Sequence, residues 1–521
     1  MHRILYIRHR RANDLSDAFR LNQDEWVKAL ALQAEVTIFD ADFDLEPACD
    51  RVQPDFIIYE SPLFNAVPLN IQNPRAQPQI PRFGLLTQDP ICGTRVAFLR
   101  MLDALGAFWI LSHLPEATIR QSPEFAPRLI SIPMFFDAAI FRDYGLDKDI
   151  PVSVFGGLIA PEIYHWRAAT ARAASDKFPT FIYASSGYTK PAPRHKFAVA
   201  GEAYARMLNR SHFSLADPTR LDYPVRKILE IPACGAILVA PDAPCLRPYG
   251  FRDMENCLLG EGDVLMDKIA AVADDPVLYD TIRRAGHDHV HARFRRENWR
   301  GILDFYDCFR NLRPGETLRQ NGVLGTHRAA PVAAASYAAI DAHLPASEIS
   351  AFLGRWLEAL SAPDGLRRDA DFLKIPDWLL HMEEPFVLNG IAVLLKGDAA
   401  QARELLVLPQ RMRAEQTGFT DYDPEEIAWL MIVAALTGDS ALSALTRRES
   451  EKIRHVSLRR VAWLGQVLAA GGNTANPPPD VLCAAPDDRV SIHRTGQMNF
   501  AGWMALIRRV LAANGQDGLL K

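Results

Sequence analysis

The sequence predicts an α/β protein built from two doubly wound parallel-sheet domains, followed by an all-α region. Three observations carry this. Short apolar runs alternate with helical segments from the start of the chain. The same alternation restarts once, near Val152. Strand signals then fade beyond a Gly-, Pro- and Ala-rich stretch at 314–335. Strands punctuated by helices imply βαβ units and a parallel sheet covered on both faces.

In the first domain, strands are predicted at 3–9, 35–41, 55–60, 83–87 and 108–112, with an amphipathic helix at 22–33. Each strand ends near polar residues, and functional groups on such sheets gather at the carboxyl ends of strands. A strand at 129–133 leads into a connector, MFFDAAIFRDY, at 134–144. The second domain starts with VSVFGG at Val152, with further strands at 181–184 and 236–240. Helices are expected at 201–209 and 226–231, and the closing helices run from 264 to 312. The predicted division is a first domain at 1–137, a second at 138–313, a linker at 314–335 and a helical domain at 336–521. Within the last, LLKGDAAQARELL turns at Gly397-Asp398 and ALTGDSALSALTR at Gly438-Asp439, with a fainter echo at Gly471-Gly472. A recurring helix, Gly-Asp turn and helix suggests stacked helix pairs.

Length supports the count, because 521 residues exceed what one ordinary core holds. Charged residues make up 23% and the net charge is −5, which argues against an electrostatic nucleic-acid binder. No uninterrupted apolar run reaches the length of a membrane span. In MHRILYIRHRR only residues 4–7 run apolar, so the segment reads as a first strand, not a signal peptide. The seven cysteines form no CxxC pair, which points away from a disulfide framework or zinc site and toward a reducing cytoplasm.

The most informative stretch is LDYPVRKILEIPACGAILVAPD, at 221–242. Asp222 and Glu230 stand eight positions apart, with Arg226 and Lys227 between them, and a glycine turn at Gly235 feeds a buried strand. Carboxylates accept hydrogen bonds from sugar hydroxyls, and Arg or Lys neutralises phosphate. The combination favours a nucleotide pocket.

These residues resemble the GT-B glycosyltransferases, in particular the group 1 type and its spore-maturation-protein-like bacterial relatives. IPMFFDAAIF resembles the family's interdomain segment, with Asp137 and Phe141 in place. VSVFGGL resembles the first strand and glycine turn of its donor domain. DYPVRKILEIPACGAILVAPD resembles its helix with two acids, and 260–298 its closing segment. The match runs over about 129–300; residues 1–128 match only as a fold pattern and 336–521 not at all. Two departures stand out. Relatives often carry Glu at the position of Asp222, and glycines where this chain has Arg8-His9-Arg10-Arg11.

The resemblance implies a nucleotide-sugar donor, with Glu230 on the ribose, Arg226 or Lys227 on the diphosphate, and backbone at Gly156 and Gly157 near phosphate. Asp222 and Gly235 complete this donor set, and the loop after Tyr183 lies near the base. Asp89, Glu60 and His113 are rival candidates for a catalytic or acceptor-positioning group on the rim of the first sheet. For any one of them a helix-capping or loop hydrogen-bonding role is the more common one. No metal or other cofactor is expected. Asp40-Ala41-Asp42 has a DxD pattern but sits in the first domain, and His287, His289 and His291 do not share one helix face. Cys234 reads as a packing residue.

The expected activity is sugar transfer from a nucleotide-sugar to a protein or glycan acceptor, with the helical domain as a protein-binding or oligomerising surface. The alternatives are a sugar-nucleotide epimerase of the same fold, or a non-catalytic scaffold acting through 336–521.

Overall fold

The computed structural model describes residues 1–10, 17–62, 69–88, 94–113, 118–119, 125–157, 164–184, 199–219, 221–332, 338–342, 348–362, 375, 379, 382–417, 420–453, 459–472, 474, 477, 491 and 493–520. The first sheet is wholly parallel. It contains β1 (His2–Ile7), β2 (Ala34–Phe39), β4 (Phe56–Glu60), β6 (Arg82–Leu86), β7 (Ile110–Ser112) and β8 (Leu129–Ser131), in the order β2-β1-β4-β6-β7-β8. A short parallel pair, β3 (Phe43–Asp44) with β5 (Ile71–Gln72), flanks it. Ile4 to Ile7 and all of β4 are buried, as expected for strands covered on both faces. The covering helices include α1 (Asp17–Ala31), α2 (Leu45–Val52) and α3 (Arg95–Leu105).

The second sheet holds β9 (Ile150–Gly156), β10 (Thr180–Ala184), β11 (Ser211–Leu215), β12 (Ile237–Ala240) and β13 (Leu258–Leu259), ordered β10-β9-β11-β12-β13 and again parallel. Its helices are α4 (His165–Lys177), α5 (Gly201–Asn209), α6 (Lys227–Ala233), α7 (Gly262–Asp274) and α8 (Pro276–Arg293). Helix α8 starts where Asp275 accepts from the amides of Val277 and Leu278 and Pro276 supplies a preset first turn.

The chain crosses between these units twice, side by side. Phe136 N donates to Phe294 O at 3.0 Å, and Arg296 N to Phe136 O at 2.8 Å. Beyond that point α9 (Gly301–Phe309) packs on the first sheet, with Ile302, Leu303, Phe305 and Tyr306 in its core. The segment to 313, expected in the second domain, therefore ends on the first.

The stretch read as a linker is also different. Residues Glu316–Gln320 (β14) and His327–Pro331 (β15) form an antiparallel hairpin on the first domain. Leu318 is buried there. Gln320 reaches Ser131: its Oε1 accepts from Ser131 N and Oγ at 2.8 and 2.7 Å, and its Nε2 donates to Ser131 O at 2.9 Å. Ser131 lies on edge strand β8, whose unpaired backbone groups need partners.

The remainder is helical: α10 (Glu348–Ser361), α11 (Glu384–Leu394), α12 (Ala399–Leu406), α13 (Leu408–Thr417), α14 (Pro424–Thr437), α15 (Ser440–Ser450), α16 (Arg459–Ala469) and α17 (Phe500–Ala513). The two Gly-Asp turns are built alike. Gly397 and Gly438 take positive φ, and Asp398 and Asp439 cap the following helix by accepting from Gln401 N and Leu442 N, each at 2.9 Å.

The core of this domain holds buried charge as well as Trp356, Trp429 and Trp503. Arg413 bridges Glu383 and Glu426, and His493 Nε2 lies 2.9 Å from Glu426 Oε1. Arg460 pairs with Glu425 at 2.6 Å, and Arg494 with Glu384. Glu383, Glu426 and His493 converge closely enough to share a cation. The Arg413 guanidinium already lies against both carboxylates, so the acids have a positive partner.

Burial alone would lower the His493 pKa, but Asp423 and the hydrogen-bonded Glu426 outweigh it and bring it up to about 9. A raised cation pKa contributes stability below its unfolded value, lost as pH rises through the folded one. Relative to His493→Asn, the wild type is therefore expected to lose stability between about pH 6.5 and 9. Chemical denaturation across that range checks this; parallel curves would contradict it.

Candidate functional site at the switch point of the second sheet

Strand order reverses between β9 and β11. Loops leaving the two strands diverge there and open a crevice at their carboxyl ends. Strand β9 delivers Gly156 to this crevice, and β11 runs into Asp217.

Gly156 has φ +127°, a backbone state that L side chains rarely adopt. A Cβ there would stand 2.6 Å from Arg167 Nη1 and closer still to Lys227 Nζ. The bare glycine thus lets two cations lie against the chain. Lys227, the first residue of α6, donates from Nζ to Phe155 O at 2.6 Å. Arg167, in the first turn of α4, is buried and stacks on Tyr164 with its guanidinium carbon 4.2 Å from the ring centre.

The two cations are balanced differently. Arg167 Nε meets Asp217 Oδ1 at 2.6 Å, and its backbone N donates to Asp217 Oδ2 at 3.1 Å. Lys227 has no carboxylate within ion-pair distance among the described residues. Burial first, and Arg167 second, push its pKa down to about 7, against the pull of Glu230 and Asp217. Burial holds Asp217 above the usual carboxylate value despite Arg167. Burial likewise raises Glu230, opposed by Arg226 and Lys227. Two cations on a desolvated glycine backbone, one lacking a counterion, can hold a polyanion such as a diphosphate.

A charge network crosses the crevice to the first domain. Arg226 lies 3.7 Å from Glu230 and 3.9 Å from Glu25 of α1. Glu25 also meets Arg296 at 3.3 Å, and Arg296 meets Asp137 of the connector at 2.7 Å. Tyr223 donates to Thr87 O at 2.9 Å, beyond the end of β6. His113, beyond the end of β7, is 7% exposed, between Trp26 and Tyr223 with ring centres 5.5 and 5.9 Å away. Burial, and then Arg226, lower its pKa to about 3, which keeps the imidazole neutral near pH 7.

The structure thus brings Gly156, Lys227 and Glu230 together, with Arg226 facing the crevice. The Gly157 carbonyl accepts from Arg167 Nη1 at 3.5 Å. Asp222 does not join Glu230 on a helix. It occupies a turn before α6 with φ +58°, and its Oδ1 accepts from Cys245 N at 3.3 Å. Gly235 closes the end of α6, donating to Pro232 O at 2.9 Å. Glu60 is buried at the end of β4, where it helps raise the pKa of burial-shifted Tyr6. Asp89 and the loop at 185–187 lie outside the described residues. Asp40 and Asp42 face Arg8 and Arg10 at 3.5 and 3.2 Å. His289 and His291 bond separately to the carbonyls of Tyr249 and Ala233, and His287 to Asp288. Cys234 is buried.

Arg167, Asp217 and Glu25 escaped the sequence reading. Asp217 follows SHFSL, whose serines hide a buried strand. Ser153 Oγ donates to Ser214 Oγ at 2.9 Å inside the sheet, so these polar side chains satisfy each other. The available signal for Arg167 was a cation beside Trp166, Thr170, Ala171 and Ala174 on a buried helix face.

Residues 164–301 match the glycosyl transferase-like family. The chain has no significant match among curated proteins. Among solved structures it is similar to sucrose-phosphate synthase from Thermosynechococcus elongatus, at 13% identity over 60% of this chain and 98% of that one, TM-score 0.42. It is also similar to an alpha-glucosyltransferase in complex with UDP, at 14% identity over 59% and 99%, TM-score 0.40. Anabaena HepE in complex with UDP and glucose aligns at 11% identity over 60% and 100%, TM-score 0.38. The matched segment includes Arg167, Asp217, Lys227 and Glu230, and begins after β9 and Gly156. Two doubly wound parallel sheets with an added helical domain make up the fold, and the family match covers part of the second of them. No described helix is long and apolar enough to cross a membrane.

Two outcomes follow for nucleoside-diphosphate binding. Gly156→Ala is expected to displace both cations and weaken it by about tenfold or more, measured by calorimetric titration. Because free Lys227 titrates near pH 7, binding takes up a proton above that value. Affinity should fall by up to about tenfold per unit between pH 7 and 9. Lys227→Arg, charged throughout, should flatten the profile.

Proposed function

We propose that this protein transfers a sugar from a nucleoside-diphosphate donor to an acceptor hydroxyl in the crevice between its two sheets. The observation that carries this reading is the pair of cations packed against Gly156 at the switch point. The diphosphate would lie there, with Lys227 as its principal counterion and Arg167 held in place by Asp217. Glu230, beside them, would accept hydrogen bonds from the ribose. Negative charge grows on the diphosphate as the glycosidic bond breaks, and Lys227, Arg226 and the backbone near Gly156 would stabilise it.

The first domain would present the acceptor. His113 is neutral, so it can accept or donate a hydrogen bond to a sugar or acceptor hydroxyl. Glu60, at the end of β4, is an acidic candidate on that rim, and Asp89 is a further candidate from the sequence. The acceptor would be a protein or a glycan, and the helical domain, packed against both other domains, would take part in recognising it.

The test is titration of the full chain with UDP, ADP and GDP, and with the sugar conjugate of whichever binds. Glu230→Ala is expected to lose about tenfold or more in affinity, since a charged acceptor of ribose hydrogen bonds is removed. Binding that is unchanged in Glu230→Ala, or absent for every nucleotide in the wild type, would overturn the reading.

A further inference from the structure

The turn between Asp217 and α6 is held by all three domains. It is closed by its own backbone: Thr219 N donates to Tyr223 O at 3.0 Å and Asp222 N to Thr219 O at 2.8 Å. Asp222 ties it to the second domain through Cys245 N. Tyr223 ties it to the first through Thr87 O. Leu221, in this turn, is only 3% exposed and belongs to the same continuous apolar core as Trp356, Leu388 and Trp503 of the helical domain. A side chain from the donor-side sheet thus completes the core of a different domain.

The helical domain is anchored on the first domain as well. Arg100 of α3 pairs with Asp421 at 2.8 Å, and Ile453 packs against the core that contains Leu99 and Leu102. Arg95 is buried, with Asp423, Glu384 and Glu383 among the charges acting on it. The helical domain therefore grips the first domain and, through Leu221, the loop that carries Asp217. Asp217 in turn fixes Arg167 beside Gly156.

We propose that Leu221 is a positioning residue for the donor site: its seat in the helical core fixes the 217–225 turn, and with it Asp217, Arg167 and Tyr223. This rests on the proposed donor-site reading. The helical domain is then a structural part of the transferase site, in addition to any role in acceptor recognition. Loss of the Leu221 side chain from that core would release the turn, let the Asp217–Arg167 pair shift, and weaken the hold on a diphosphate.

The experiment uses the full chain with four proteins: wild type, Leu221→Met, Leu221→Ser and Leu388→Ala. Nucleotide affinity is read by titration with UDP, ADP and GDP. Hydrogen exchange at 211–230 is read without nucleotide. Leu221→Met, which conserves volume, should bind within about twofold of wild type. Leu221→Ser should bind about tenfold or more weakly and exchange faster across the turn, because sub-ångström placement of binding groups is lost. Leu388→Ala, in the same core but outside the turn, should lower the melting temperature and leave affinity unchanged. If Leu221→Ser is not recovered folded, Leu221→Ala is measured in its place. Wild-type affinity and exchange in the Leu221 variant would overturn the proposal, as would an equal loss of affinity in Leu388→Ala. If the wild type binds no nucleotide, the donor-site reading fails separately, and unchanged exchange at the turn would still refute the role of Leu221.

Discussion

The central constraint is electrostatic. Two cations lie against one bare glycine backbone at the end of β9, in a place largely removed from water. Arg167 is neutralised by Asp217, a buried pair at 2.6 Å. Among the described residues Lys227 has the Phe155 carbonyl in hydrogen-bond contact and no carboxylate at ion-pair distance, and burial, then Arg167, push its pKa down to about 7. Desolvating an ammonium without a counterion is costly. A fold keeps such an arrangement when an anion completes it, and much of the surrounding architecture serves to hold it. The reversal of strand order opens the crevice, Gly156 clears the space, and the turn at 217–225 sets Asp217.

The crevice is bounded by the first domain through charge and aromatic contacts. Glu25 reaches Arg226 and Arg296, while Tyr223, His113 and Trp26 line up between the sheets. Arg226 stands 3.7 Å from Glu230 and 3.9 Å from Glu25. The connector at Asp137 and the return strand at Phe294–Arg296 run side by side behind them, which suits a hinge.

Much of this was legible in the sequence, and the reasons are local. Strands β1, β4, β9 and β12 are buried on both faces, so they read as apolar runs. Lys227 and Glu230 stood out because charges rarely occupy the apolar helix-strand segment that contains them. Their neighbour Asp222 lies outside the helix, which was expected from 226. Pro224 and the positive φ of Asp222 delay it to Lys227. Strand β11 stayed hidden behind serines that bond to each other across the sheet. Arg167 and Asp217 are far apart in sequence, and only the fold makes them partners. The hairpin at 316–331 was masked by its Gly-Pro-Ala composition, and its purpose depends on Gln320 meeting Ser131 at a sheet edge. The seat of Leu221 is a tertiary fact that no local pattern encodes.

The most direct measurement is a crystal structure of the full chain with a bound nucleoside diphosphate. The account predicts the diphosphate at the carboxyl ends of β9 and β11, with Lys227 Nζ turned from the Phe155 carbonyl onto a phosphate oxygen and Glu230 on the ribose. A nucleotide bound elsewhere, or one whose phosphates leave Lys227 on the Phe155 carbonyl, would contradict it.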